Sequence, residues 1–240
     1  MIWLFDIDGT LIRCGGAGSA AMAEALSSTF AVEGDTRGVS FAGRTDYAII
    51  RDLFAAHEIP VTSEHVRDFI SCYLDILPTK LATRDGCVLP GVERWLERLS
   101  THPGCRLGIV TGNLEAAAQM KLKHYGLERY FEGGGYGDNN ESRCGLITDA
   151  LCMFGHASLQ TTDRVWAVGD TPHDIHAARE VGIRIIAVAT GGYDAKDLAV
   201  HEPEHVFESL ANDSFLNQIC LLYTSPSPRD ATLSRMPSSA

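Results

Sequence analysis

No two cysteines in this sequence are spaced as Cys-x-x-Cys, and the seven present are scattered and odd in number. That pattern suits reduced thiols in a cytoplasmic setting and argues against a disulfide frame or a cysteine-ligated zinc site. No apolar run approaches the roughly 18 residues needed to cross a bilayer, and the start lacks the basic, apolar, small-residue order of a signal peptide. A soluble chain with no membrane partner is expected. The formal net charge is −11 and no Lys/Arg cluster interrupts it, so nucleic acid is not an expected partner either. There is no internal repeat and no signal for an oligomeric state.

What is present is core material. A chain of 240 residues that is 45% hydrophobic can bury one α/β unit of ordinary size together with a smaller insert. Ile2 to Phe5 is an apolar run ending in Asp6, short enough for a strand buried on both faces. "RLGIVTGN" (106–113), "RVWAVGD" (164–170) and "RIIAVATGG" (184–192) repeat that shape, and "EHVFESL" marks a final strand. Helical segments lie between them, Leu114 to His124 ahead of Gly126 and Asp174 to Val181 ahead of Gly182, with another at Glu93 to Leu99 after the turn "LPGV". Strand and helix in alternation predict a doubly wound parallel sheet, whose ligands sit beyond the carboxyl ends of the strands.

Residues 13–84 lack strand signals and read as a helical cap inserted after the first strand, dividing the core into 1–12 and 85–219. Val66, Phe69, Ile70, Tyr73 and Leu77 form one helical stripe, with Ser63 as N-cap, expected to pack near Ile49, Leu53 and Phe54. "GGAGSA" (15–20) reads as the hinge between cap and core. From Cys220 the text "CLLYTSPSPRDATLSRMPSSA" has no periodicity and resembles the conceptual translation of a sequencing-library adapter. Residues 220–240 are therefore expected to be a disordered read-through tail, with the natural end missing beyond about residue 219. A full-length gene encoding the same segment would overturn that expectation.

The chemistry gathers at the strand ends. Asp6 and Asp8 in "DIDGT" would face opposite sides of a continuing strand, so they can cooperate only if the chain turns away, which Gly9 permits. Thr111, Gly112 and Asn113 follow the second run with a hydroxyl, a permissive backbone and an amide, all suited to donate to phosphoryl oxygens. "GDTPHD" adds Asp170 and Asp174. Four carboxylates in one crevice repel one another unless a hard divalent cation with oxygen ligands lies among them, and Mg²⁺ is the expected ion.

"DIDGT", "VTGN" and "GDTPHD", in that order, resemble the first, second and fourth motifs of the haloacid dehalogenase-like hydrolases. The helical insert resembles the C1-type cap of the phosphoglycolate phosphatase-like branch. The resemblance implies a Rossmann-like core and a Mg²⁺-dependent phosphatase acting on a small phosphorylated metabolite, phosphoglycolate-like or a sugar phosphate. It makes Asp6 the nucleophile that becomes a phosphoaspartate, and Asp8 the general acid and base. It places Mg²⁺ on the Asp6 side chain, the Asp8 carbonyl and Asp170, with Asp174 as ligand or as the residue that orients one. Gly9, Thr10, Gly112 and Asn113 would line the phosphate, and Thr111 would hold its equatorial oxygens.

The family's third motif usually supplies a Lys at the start of the helix before the fourth, yet no Lys occurs between 123 and 196. Arg143 in "ESRCGL" stands at the suitable distance, and a guanidinium can grip phosphate through two parallel hydrogen bonds. Lys121 and Lys123 are expected on the solvated face of the preceding helix. Arg44 in "FAGRTDYAI" is a candidate contact for an anionic leaving group, against a surface role ahead of a helix capped by Thr45. His173 reads as a solvated turn residue and Cys14 as a space-filler. Two alternatives share the same motifs: a phosphomutase, and a catalytically idle member that only binds a phosphorylated ligand.

Overall fold

Ile2–Phe5 (β1) forms the middle of the sheet because every side chain in it is apolar and can be buried on either face. The computed structural model describes residues 1–36, 38–138, 140–155 and 164–212. The expected tail at 220–240 therefore lies outside the described residues, as do Ile219 and the proposed missing end. After β1 come β2 (Ile12–Arg13), α1 (Ala17–Phe30), α2 (Asp46–Ala56) and α3 (Ser63–Thr83). The chain continues through β3 (Cys87–Val88), α4 (Val92–Ser100), β4 (Arg106–Val110), α5 (Glu115–His124), β5 (Gly134–Gly135) and α6 (Arg143–Met153). It ends in β6 (Val165–Gly169), α7 (Pro172–Val181), β7 (Arg184–Val188), α8 (Ala195–Ala199) and β8 (His205–Phe207).

The six-stranded sheet has the order β5-β4-β1-β6-β7-β8, with every neighbouring pair parallel. This is the α/β, doubly wound, Rossmann-like architecture expected from the sequence. Apolar side chains fill both faces. On one of them Trp3 stacks on Trp166 (5.7 Å, 13°) and meets Trp95 edge-on (6.1 Å, 89°). Among the described residues no helix is long and apolar enough to cross a membrane.

Several local expectations change. Arg13 belongs to a two-stranded antiparallel ribbon of β2 with β3 that flanks the helical insert. Elements of two residues carry no periodicity, and the same is true of β5, which offers only glycine backbone to the sheet edge. "GGAGSA" is divided: Gly15 and Gly16 adopt left-handed backbone, whereas Ala17 already opens α1. Thr62, one residue before Ser63, caps α3 by accepting from His65 N. Phe69, Tyr73 and Leu77 are buried as the stripe predicts, while Val66 and Ile70 are half-buried. α3 packs chiefly on α1, whose Ala17, Ala21 and Ala25 make a slim face that allows close approach. The contact with α2 runs through Phe54, edge-on to Phe69 at 5.5 Å.

Candidate active site

The ends of β1, β4, β6 and β7 open into one cavity of about 380 Å³ between the sheet and the insert, and Asp6, Asp8, Thr111, Arg143 and Asp170 all line it. Asp6 still follows the strand, its N–H donating to Val168 O at 3.0 Å. The chain then turns: the N–H groups of Leu11 and Ile12 both donate to Ile7 O, and Gly9 takes φ +86°. A Cβ at Gly9 would stand 2.3 Å from Asp170 Oδ2, so only glycine fits there. The turn therefore brings Asp8 to the same cavity as Asp6.

Carboxylate oxygens of Asp6, Asp170 and Asp174 all lie within 4.8 Å of one another, and all three residues are buried. Thr10 Oγ1 donates to Asp170 Oδ1 at 3.0 Å, which ties the first loop to the acid after β6. Asp174 sits at the third position of α7, where it forms a reciprocal capping box with Thr171 and so has a fixed direction. Arg143 begins α6, behind the Ser142 cap, and reaches Asp6 Oδ2 through Nη2 (3.4 Å) and Asp174 Oδ1 through Nη1 (3.1 Å). Its Nε is buried without a hydrogen-bond acceptor among the described residues, while Nη1 is held by its ion pairs with Asp174 and Asp6.

Burial raises the Asp6 carboxyl to about 6; Arg143 opposes the rise, and Asp174 and Asp8 add to it. Burial, then Asp6 and Asp174, push Asp170 up to about 8. One guanidinium leaves three clustered carboxylates under-compensated. A donor set made only of oxygens, in which each acid destabilises its neighbours' charge, fits a hard divalent cation.

Beside this cluster the structure corrects the reading of Lys121. Its ammonium is buried, with Nζ 2.5 Å from Asp8 Oδ2 and also bonded to Asn113 Oδ1. Lys123 is exposed as expected. A signal for the difference existed, because Leu114, Ala117, Ala118, Lys121 and Leu122 fall at i, i+3, i+4, i+7 and i+8 and all are buried. Asn113 is corrected too. Its amide nitrogen donates within the protein, to Asp8 Oδ2 and Thr111 Oγ1, both at 2.9 Å, so it serves Asp8 before any phosphoryl oxygen. Burial raises the Asp8 pKa, but Lys121, then Asn113 and Cys14, outweigh it and leave the carboxyl below its ordinary value.

The profile of the haloacid dehalogenase-like hydrolases matches residues 3–188. The chain belongs to that family. It is 25% identical over 213 residues to a protein of Dickeya dadantii described as probable phosphatase IndB, covering 87% of this chain and 89% of that one. Its fold is similar to that of CbbY from Rhodobacter sphaeroides, solved in complex with phosphate (TM-score 0.70, 17% identity, 89% of this chain and 96% of that one). It is also similar to a predicted phosphoglycolate phosphatase from Haemophilus somnus (TM-score 0.69, 19% identity, 91% and 97%).

In this haloacid dehalogenase-like hydrolase the insert touches the core at the loop after β4. Asp46 N donates to Gly112 O (2.7 Å), and the Asp46 carboxylate accepts from Leu114 N (2.8 Å). Gly112 is hemmed in by the insert, since a Cβ there would stand 2.3 Å from Arg44 O. Burial raises the Asp46 carboxyl to about 6, against the pull of Lys121 and the Leu114 N–H. Arg44 lines the same cavity, with its guanidinium held by Asp52 (2.6 Å) and by the carbonyls of Ser40 and Ala48. Thr10 and Gly9 likewise direct their donors inward, Gly9 N to Ile12 O. His173 is exposed over Gly43. Cys14 Sγ donates weakly to Asp8 Oδ1 at 3.5 Å, and burial followed by the Asp8 charge pushes its thiol up to about 12, which removes it as a nucleophile.

Proposed function

We propose that this hydrolase is a phosphatase that cleaves a small phosphorylated metabolite, phosphoglycolate-like or a sugar phosphate, through an aspartyl-phosphate on Asp6. The observation that carries the reading is the joint placement of Asp6, Asp170, Asp174 and Arg143 within a few ångströms, with Asp8 facing the same cavity. Asp6 forms a bond to phosphorus as the bond to the leaving oxygen breaks, and Asp8 gives that oxygen a proton, which it holds only once the negative charge of the bound phosphate raises its carboxyl from the low value set by Lys121 in the free protein. Asp8 then takes a proton from water, which attacks phosphorus and releases inorganic phosphate and free Asp6. Splitting the displacement turns one very slow reaction into two manageable ones, and a positioned acid and base contributes about 10² to 10⁴ in rate.

Mg²⁺, held by the Asp6 side chain, the Asp8 carbonyl, Asp170 and Asp174, would supply the positive charge that lets a carboxylate approach a phosphate. Arg143 lines the same cavity, and its guanidinium would give the phosphoryl oxygens charge-assisted hydrogen bonds. Thr111 lines the cavity opposite, its hydroxyl oxygen already oriented by Asn113. Helices α1 to α3 act as a cap that excludes water, with Gly15 and Gly16 as the hinge. The test is Asp6→Asn: a variant with unchanged circular dichroism should release no phosphate from p-nitrophenyl phosphate. Retained turnover would exclude the assignment. EDTA should abolish wild-type turnover, and added Mg²⁺ should restore it.

A further inference from the structure

Lys121 is 5% exposed, on the buried stripe of α5 where a leucine would complete the core. Burying an ammonium costs several kcal/mol unless it is paired, so packing alone does not account for a lysine here. Its Nζ lies 2.5 Å from Asp8 Oδ2, and Asn113 Nδ2 donates to that same oxygen at 2.9 Å while Asn113 Oδ1 accepts from Lys121. One oxygen of Asp8 is thus locked by two donors that are also locked to each other. Asp8 Oδ1 receives only the weak thiol donor of Cys14, and the Asp8 side chain is 42% exposed into the cavity. The seam is occupied from the insert side as well. A Cβ built on Gly18 of α1 would stand 3.9 Å from Lys121 Nζ and 4.0 Å from the Tyr73 hydroxyl of α3, so the ammonium lies where the insert meets the core.

We propose that Lys121, acting with Asn113, is a positioning residue that holds the Asp8 carboxylate with its free oxygen aimed at the leaving oxygen of the substrate. Aspartate in a glycine-containing turn otherwise has free rotation about two bonds, and a misplacement of about 1 Å costs about 10²-fold in rate. The proposal rests on Asp8 acting as the proton donor, and it makes a prediction that a structural role for Lys121 does not. The ratio kcat/KM reports the steps up to phosphoryl transfer, in which a proton is needed only as far as the leaving group is basic. Displaced Asp8 therefore harms poor leaving groups selectively, whereas a general loosening of the fold harms all of them alike.

The experiment uses the full chain with Mg²⁺ and a pair of substrates, p-nitrophenyl phosphate and phenyl phosphate, whose leaving groups differ in basicity. Lys121→Met, which keeps the aliphatic stem, should lower kcat/KM on phenyl phosphate by about 10²-fold and on p-nitrophenyl phosphate by less than about tenfold. Lys121→Arg, which keeps the charge, should show the same order with smaller losses, and it carries the test alone if Lys121→Met does not fold. Equal losses on both substrates, or none, would overturn the positioning role. Asp6→Asn measured alongside separates the two claims. Full activity of Asp6→Asn removes the reading of the site itself, while an inactive Asp6→Asn with equal Lys121 losses removes only the role of Lys121.

Discussion

Single residues in this protein are constrained by what stands next to them more than by what they are. Gly9 illustrates the point: its φ of +86° and the 2.3 Å from its absent Cβ to Asp170 Oδ2 leave no room for a side chain. Gly9→Ala should displace Asp170, weaken Mg²⁺ binding measured by calorimetry, and destabilise the fold by about 1–3 kcal/mol. Undiminished Mg²⁺ affinity would show that Asp170 does not depend on that turn. Asp6 and Asp170 were legible as candidates because each ends an apolar run and is followed by turn chemistry, and Asp8 because Gly9 lets the chain turn it to the side of Asp6. Lys121 was passed over because an isolated lysine on a helix is ordinarily solvated, although Leu114, Ala117, Ala118 and Leu122 set it on a buried stripe. Asn113 lies where the sequence puts it but serves a different partner, because an amide beside phosphate and an amide holding a carboxylate look the same in a sequence.

Among the elements, α2 is tied to the core by hydrogen bonds from its first residue. Asp46 at its first position uses a backbone donor and a carboxylate acceptor on the loop after β4, and it is buried in doing so. Asp46→Ala leaves the buried Leu114 N–H without its acceptor, at a cost of about 1–3 kcal/mol. The expected outcome is faster hydrogen exchange across α2, read by mass spectrometry, with exchange in β1 and β6 unchanged. Uniform acceleration would mean that the insert and sheet open together. The long elements could be read ahead of the structure because fully buried parallel strands are continuous apolar runs, and α3 carries a stripe of period 3.6. β2, β3 and β5 could not, since each is two residues long and exists only because a neighbouring backbone accepts it.

At the scale of the whole molecule, the carboxylate cluster links stability to pH and to metal. Asp6 and Asp170 have folded-state pKa values raised to about 6 and about 8 from 3.8. The folded protein without metal thus binds these protons more tightly than the unfolded chain does. Their stabilising contribution is complete below pH 3.8 and is lost as pH rises through 6 and then 8. A divalent ion replaces those protons, so the rise in Tm on adding Mg²⁺ should be larger at pH 8.5 than at pH 5. Scanning calorimetry at both pH values, with EDTA as reference, checks it; an equal shift would mean that the ion binds elsewhere. Acidic composition predicts the repulsion, but only the convergence of β1, β6 and α7 makes it local.

By itself, the sequence determined the class of fold, the long buried strands and the helices between them, and the candidate acids of the first and fourth motifs, because buried runs and the turns that end them are local patterns. Tertiary structure alone decided which faces of the helices meet the sheet ends, and so brought Lys121 to Asp8, Asp46 to the loop after β4 and the Arg44 guanidinium to Asp52. The physical reason is range. Hydrophobic periodicity is written within a few residues, whereas the partner of a buried charge is chosen by packing between segments as far apart in the chain as Asp8 and Lys121.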